Sequence, residues 1–357
     1  MRIRLAILES DTVYLNRIVS AFIIKYADKL EVYSFTDKDA AIQFLKSARI
    51  DVFLAGESFQ VTEGEIPSAC GFAYLVEEED IRTFRGAEAV NKFQKTEMIY
   101  RRILGFFSEK TAAVTGVGMD GGEGCKALAF LSAAGGTGSS TAAAACAMNF
   151  AQKGKRVLYL NLERFGSADV FFSGDGSCCF GDVIYALKRR MGSLGMKLES
   201  AVRHDVSGVF FFSSTRMALD MGELEVGEIR EILGVLRTSG AYDYLILDMD
   251  FSLEQAFLKL LQECSSIIFV ADGSQGSNVK LERALESLKI LEDQCGVKLL
   301  MKSGILYNRF SSHTSRKTAA CGLREYGGMG RFEGFETQKL LQQLKAQPVF
   351  DVLEREV

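Results

Sequence analysis

The run Ala134-Gly135-Gly136-Thr137-Gly138-Ser139-Ser140-Thr141 sets glycines and hydroxyls between an apolar stretch, Lys126 to Leu131, and an alanine-rich helical pattern, Thr141 to Gln152. A glycine turn that opens a helix aims backbone N–H groups at phosphate oxygens, and the helix N-terminus adds a favourable dipole. Gly135, Gly136 and Gly138 supply the turn, with Thr137 and Ser139 inside it. Ser140 stands where a hydroxyl reaches Mg²⁺, and Thr141 where one reaches an inner phosphate. Taken alone, such a loop serves as a plain tight turn equally well; the order strand, loop, helix favours the phosphate site. No lysine lies in the run. The expectation is therefore a nucleotide held by main-chain dipoles and a divalent cation, and hydrolysed poorly.

A second group of residues supports this chemistry. Tyr242 to Asp248 is an apolar strand ending in a carboxylate, where a phosphate-site fold places the acid that holds Mg²⁺ through water. A strand-terminal Asp also caps helices and closes turns; with the glycine loop upstream, Asp248 takes the metal role and Asp250 is second choice.

The elements that must position these groups come in two sets. Residues 1–107 alternate short strands (Arg4 to Leu8, Leu30 to Tyr33, Asp51 to Ala55, Phe72 to Val76) with helical patterns (Val13 to Tyr26, Asp37 to Ala48, Thr96 to Phe107), which predicts a small parallel sheet covered by helices. Residues 108–124 are rich in glycine and poor in large apolar side chains, and read as a linker. Residues 125–357 form the second domain, with further strands at Arg156 to Asn161, Gly208 to Phe212, Tyr244 to Asp248, Ser266 to Ala271 and Ser303 to Asn308. Each is a nearly continuous apolar run, as in strands buried on both faces. The fold class is thus α/β, with two three-layer domains; the resemblances below imply that they are a small flavodoxin-like, receiver-type fold and a P-loop NTPase fold with a mostly parallel sheet.

Composition removes several alternatives. At 357 residues and 48% hydrophobic the chain is long enough for two packed cores. A net charge of -4 gives no basic face for nucleic acid, so no nucleic-acid partner is expected. The cysteines include no C-x-x-C pair, and His204 and His313 are the only histidines, so zinc-ligand spacing is missing. The N-terminus does not read as a signal peptide and no run has the length of a membrane helix; a reducing cytoplasm is the expected compartment. Near the end, Leu340, Leu341 and Leu344 fall at helical spacing, but few basic residues accompany them, so this face is expected to pack on its own domain and not to insert into lipid.

On these residues the second domain resembles the MinD/ParA superfamily of ATPases, whose phosphate loop reads K-G-G-x-G-K-[ST]-[ST]. Ala134 and Ser139 occupy the two lysine places, and the resulting GGTGSST is similar to the loop of the TadZ/CpaE group of pilus-assembly proteins. Leu158 to Glu163 resembles the family strand ending D-x-D, so Asn161 and Glu163 stand at the acids that position water and Mg²⁺. Leu306-Tyr307-Asn308-Arg309 resembles the V-N-[RK] segment, which implies that Asn308 reads the adenine edge. Tyr326 to Gly334 is similar to the closing segment beside the base, with Gly330 at its proline position. Arg164, Arg309 and Arg331 are candidates to replace the missing charge from outside the loop. Losing a transition-state contact of about 3–4 kcal/mol slows the chemical step roughly 100- to 1000-fold.

The first domain resembles response-regulator receivers. Glu9-Ser10-Asp11 follows the first strand and Lys92-Phe93 is similar to the K-P segment, but the phosphoacceptor place is Gly56, and Glu57 is out of register. A pseudo-receiver ahead of a MinD-like ATPase is the arrangement of the TadZ/CpaE group. The resemblance implies ATP and Mg²⁺ as cofactors, a homodimer, recruitment to the cell pole or the inner face of the membrane, and pilus-assembly components there as partners. The alternative is an active MinD/ParA-like partitioning or regulatory ATPase.

Overall fold

In the computed structural model, residues 3–27, 29–67, 70–78, 81, 83–110, 125–191, 193–318 and 322–357 are described. The chain divides into two compact units, Met1–Val117 with Tyr185–Ala201, and Gly118–Ile184 with Val202–Val357.

The first unit is built on β1 (Ile3–Leu8), α1 (Thr12–Tyr26), β2 (Leu30–Phe35), α2 (Lys38–Ser47), β3 (Val52–Gly56), β4 (Gly71–Val76), β5 (Thr83–Phe84), β6 (Ala87–Asn91) and α3 (Thr96–Lys110). Among the described residues its sheet runs β2-β1-β3-β4-β6-β5, parallel except for the β5–β6 hairpin. Side chains alternate across β1: Leu5 and Ile7 join Phe22 of α1 and Ile103 of α3 on one face, while Ala6 and Leu8 join Ala41 and Leu45 of α2 on the other. A sheet covered on both faces needs strands that are apolar at nearly every position, which explains why β1 and β3 read as continuous runs. The β5–β6 hairpin was not legible in the sequence. The stretch read as a linker lies outside the described residues from 111 to 124; before it, α3 runs on through Lys110. In this unit Met196, from the segment Tyr185–Ala201, packs against the α1/α3 face, and Lys29 pairs with Glu199 at 2.7 Å.

The second unit contains β7 (Lys126–Leu131), α4 (Ser139–Gln152), β8 (Val157–Asn161), β9 (Arg203–His204), β10 (Phe210–Phe211), β11 (Tyr244–Asp248), β12 (Ser266–Ala271), β13 (Ser303–Phe310) and β14 (Arg324–Gly330). The described strands form one sheet in the order β14-β13-β12-β7-β11-β8-β10-β9, parallel except at β10–β9. The central β7 pairs with β11 and β12, so its C-terminal end opens directly into the glycine loop. Helix α4 is buried at every position from Ala142 to Phe150. Alanine suits this setting twice over: it has the highest helix propensity, and its small side chain lets a helix lie close to a sheet. The helix Thr337–Leu344 turns Leu341 and Leu344 into the same core, with Leu340 against it.

Candidate nucleotide site

The phosphate loop keeps its shape through one hydroxyl and two left-handed glycines. Ser132, just beyond β7, accepts hydrogen bonds at Oγ from the Ala134 N–H (3.2 Å) and the Thr137 hydroxyl (2.9 Å), and its own proton faces the carbonyls of Ala134 (2.7 Å) and Val270 (2.9 Å). Thr137 is buried and its hydroxyl is spent inside the loop, so only its main chain remains for a ligand. Gly136 and Gly138 have φ of 82° and 79°, a region that residues with a Cβ adopt at a cost. A Cβ on Gly135 or Gly136 would meet nothing within 4 Å, so the loop faces open space.

Helix α4 starts at Gly138 with no side-chain cap, which leaves its first N–H groups directed at that space. Ser139, at one of the two lysine places, has a buried Oγ without a hydrogen-bond partner. Uncapped donors beside an open hollow, with an unpartnered hydroxyl at the same helix start, fit a polyanion such as a nucleotide's phosphates.

Facing the loop is a compact acidic network. Asp248 is buried, and its Oδ2 accepts from the Tyr159 hydroxyl (2.7 Å) and from Asn161 Nδ2 (2.9 Å). The same Asn161 nitrogen lies 2.9 Å from Glu163 Oε2, so one amide bridges two acids. Ser140 donates to Glu163 Oε1 at 3.0 Å, and Ser167 to its Oε2 at 3.2 Å. Burial, reinforced by the charge of Glu163, pushes the Asp248 carboxyl up to about 8; hydrogen bonds from Tyr159, Ser140 and Asn161 oppose the rise. Two carboxylates share these donors with no ion-pair partner recorded among the described residues, which fits a divalent cation held by Ser140 and Asp248. Asp250 is otherwise engaged, accepting the Arg164 N–H at 3.0 Å.

Beyond the loop lies a cleft of about 410 Å³ lined by Thr141, Asn308, Arg309, Arg331, Phe332 and Leu340, among others. Asn308, expected at an adenine edge, is buried, and its Nδ2 donates to the carbonyls of Thr137 (2.9 Å) and Gly138 (3.3 Å). Arg309 Nη1 donates to the Gly136 carbonyl at 2.9 Å. Arg331 instead pairs with Glu333 at 3.0 Å. The structure brings the loop from Gly135 to Thr141 together with Asn161, Glu163 and Asp248, and adds Ser132 and Tyr159, which sequence reasoning did not single out. Tyr159 lies in an apolar run and reads as core; its hydroxyl gains meaning only from the register that pairs β8 with β11.

In the first unit Glu9 and Lys92 are buried side by side, while Asp11 is exposed. Glu9 Oε1 accepts from Ser10 Oγ (3.2 Å) and the Asp11 N–H (3.1 Å), and its buried Oε2 lies 4.0 Å from Lys92 Nζ. Lys92 pairs with Glu77 at 2.6 Å. Burial alone would lower the Lys92 ammonium, but the bond to Glu77 and the charges of Glu9, Glu77 and Glu57 hold it above its ordinary value. Asp11 is used as the cap of α1, accepting from Val13 and Tyr14 N–H. A Cβ on Gly56 would lie 2.8 Å from Glu9 Oε2, so the carboxylate fills the space an acceptor side chain needs.

These two architectures define a receiver-type domain joined to a MinD/ParA-type P-loop fold. The second matches the ParA family ATPase of Chlorobium tepidum (22% identity over 66% of this chain and 98% of that one, TM-score 0.52) and MinD of Aquifex aeolicus in its complex with MinC (15%, 64% and 94%, TM-score 0.50). Residues 1–108 match the family described as TadZ-like, receiver domain. Together the two findings support a TadZ-like receiver domain at residues 1–108 followed by a fold of the MinD/ParA kind. No curated protein matches the chain. Among the described residues no helix is long and apolar enough to cross a membrane.

Proposed function

We propose that the chain is an ATP·Mg²⁺-binding, dimerising localisation and assembly factor for a Tad/Flp-type pilus, with hydrolysis slow or absent. One observation carries the nucleotide reading: an uncapped helix N-terminus opens from a glycine loop whose Gly135 and Gly136 face open space. In this reading the N–H groups from Gly135 to Thr141 bind phosphate, Ser140 and Asp248 hold Mg²⁺, and the cleft beside Asn308 and Arg331 takes the nucleoside, with Arg309 at its loop edge. Bound Mg²⁺ supplies charge neutralisation on the phosphates. Asn161 keeps Asp248 and Glu163 in register with a single amide.

Slow turnover follows from what these side chains lack. Ala134 and Ser139 place no charge where the transferred group becomes more anionic, and both oxygens of Glu163 already accept hydrogen bonds. The protein then acts through its bound state: a persistent nucleotide complex marks a site, with recruitment to the cell pole or inner membrane face and docking of pilus components through the receiver-like domain 1–107. The domain 125–357 carries the nucleotide and the dimer contact.

Calorimetry with ATP·Mg²⁺, followed by light scattering with and without nucleotide and a single-turnover hydrolysis assay, tests the reading. Binding, a nucleotide-dependent mass increase and slow cleavage are expected. No heat at millimolar ATP overturns it, and cleavage near one per second favours an active partitioning or regulatory ATPase.

A further inference from the structure

The second unit brings one basic side chain from outside onto the phosphate loop. Arg309 follows Asn308 on β13, where the pairing with β14 shifts register between Tyr307 and Phe310. At this irregularity Arg309 takes φ of 56°, a left-handed conformation that non-glycine residues pay for and that turns the side chain away from the strand's regular alternation. The guanidinium is thereby brought onto the phosphate loop: Nη1 bonds the Gly136 carbonyl at 2.9 Å, and Nε lies 3.6 Å from the place of a Cβ on Gly138. Strain of this kind persists where surrounding contacts over-determine it, and it gathers at ligand sites.

Three further observations separate Arg309 from a surface arginine. It lines the cleft beside Thr141 and Asn308. Among the described residues no carboxylate pairs with it, whereas Arg331 in the same cleft is paired with Glu333. Its one recorded hydrogen bond uses a single nitrogen, leaving the other donors of the planar fork available.

We propose that Arg309 supplies, from outside the loop, a positive charge for binding and not for the transferring group: it binds phosphate oxygens of a nucleoside di- or triphosphate cradled by Gly135 to Thr141. The proposal rests on the nucleotide reading of the loop. It makes Arg309 a phosphate-recognition residue: its contribution scales with the phosphates and is absent for the nucleoside. Retention of charge at this place also explains how a loop without lysine keeps affinity for an anion.

The test uses the full-length protein and its Arg309→Ala, Arg309→Lys and Arg309→Gly variants, each titrated with ATP·Mg²⁺, ADP·Mg²⁺ and adenosine in competition with a fluorescent ATP analogue. Loss of one charge-assisted contact is expected to weaken both phosphorylated ligands by roughly 10- to 100-fold and leave adenosine unchanged. Lysine restores part of the loss. Glycine removes the charge while suiting the positive φ, so Arg309→Gly is expected to melt no lower than the wild type and still to lose phosphate affinity, which covers the case of an alanine variant that folds poorly. Unaltered ATP·Mg²⁺ affinity in the alanine or glycine variant, or an equal loss for ATP and adenosine, overturns the proposal and leaves the nucleotide reading standing. A wild type that binds no ATP·Mg²⁺ overturns both.

Discussion

A Cβ on Gly138 would lie 2.5 Å from Asn308 Nδ2. The hydrogen in place of a side chain is what lets the asparagine amide reach the carbonyls of Thr137 and Gly138, tying the end of β13 to the start of α4. Gly138→Val combines that overlap with a φ of 79° unsuited to a β-branched residue. A destabilisation of about 2–3 kcal/mol is expected, with ATP·Mg²⁺ affinity falling at least tenfold. Gly136→Ala is the contrast: its φ is similar but its Cβ meets nothing, so about 1 kcal/mol is expected. Urea denaturation and calorimetry on the pair check this, and equal effects would count against the role given to Asn308.

Asn161 is the donor that lets two acids sit together. Asn161→Asp puts an acid at this place but removes that donor and adds a second negative charge beside Glu163 and the protonated Asp248. In EDTA the variant is expected to lose roughly 2–4 kcal/mol of stability. Mg²⁺ should recover much of the loss. Denaturation curves with and without Mg²⁺ decide the matter; a variant as stable as wild type in EDTA refutes the bridging role.

The Asp248 carboxyl titrates at about 8 in the folded protein against an ordinary value of 3.8. Between these limits the folded state keeps a proton that the unfolded state has released, so the metal-free protein loses stability as pH rises through this window and levels off above it. Melting temperature in EDTA should therefore fall from pH 5 to pH 8, and Asp248→Asn should flatten that slope. Tyr159→Phe, which deletes the hydroxyl donated to Oδ2, should carry the fall to higher pH and cost about 1–2 kcal/mol. A slope unchanged in Asp248→Asn shows that another group is titrating.

In the first unit, Gly56→Asp puts a side chain into space already held by the Glu9 carboxylate. The substitution is expected to destabilise by about 1–3 kcal/mol and not to permit labelling by acetyl phosphate. Mass spectrometry after incubation is the readout; a phosphorylated Asp at that position would mean that Glu9 moves aside freely.

The sequence disclosed both sheets in outline because buried parallel strands write themselves as apolar runs: Lys126 to Leu131 and Ser266 to Ala271 appear in the structure with the same limits. Strands at the sheet margins are less legible. Ala87–Asn91 is half polar, and Arg324–Gly330 carries glycines that let β14 lie beside Tyr307 and Val349, so neither has the composition of a strand. In the site, the loop and its acids were readable from residue type and order. Ser132, Tyr159 and the seat of Arg309 depend on which atoms the register of neighbouring strands brings together, and periodicity carries no trace of that.

The occupation of the Gly56 hollow by Glu9 also couples the two positions, so that a change at one calls for a change at the other. Restoring an aspartate at 56 alone meets a collision, and trimming Glu9 alone leaves a void beside Lys92 with nothing gained, so neither first step is rewarded. A phosphoacceptor at 56 therefore requires change at both positions together, because the glycine and the buried glutamate fill one another's space.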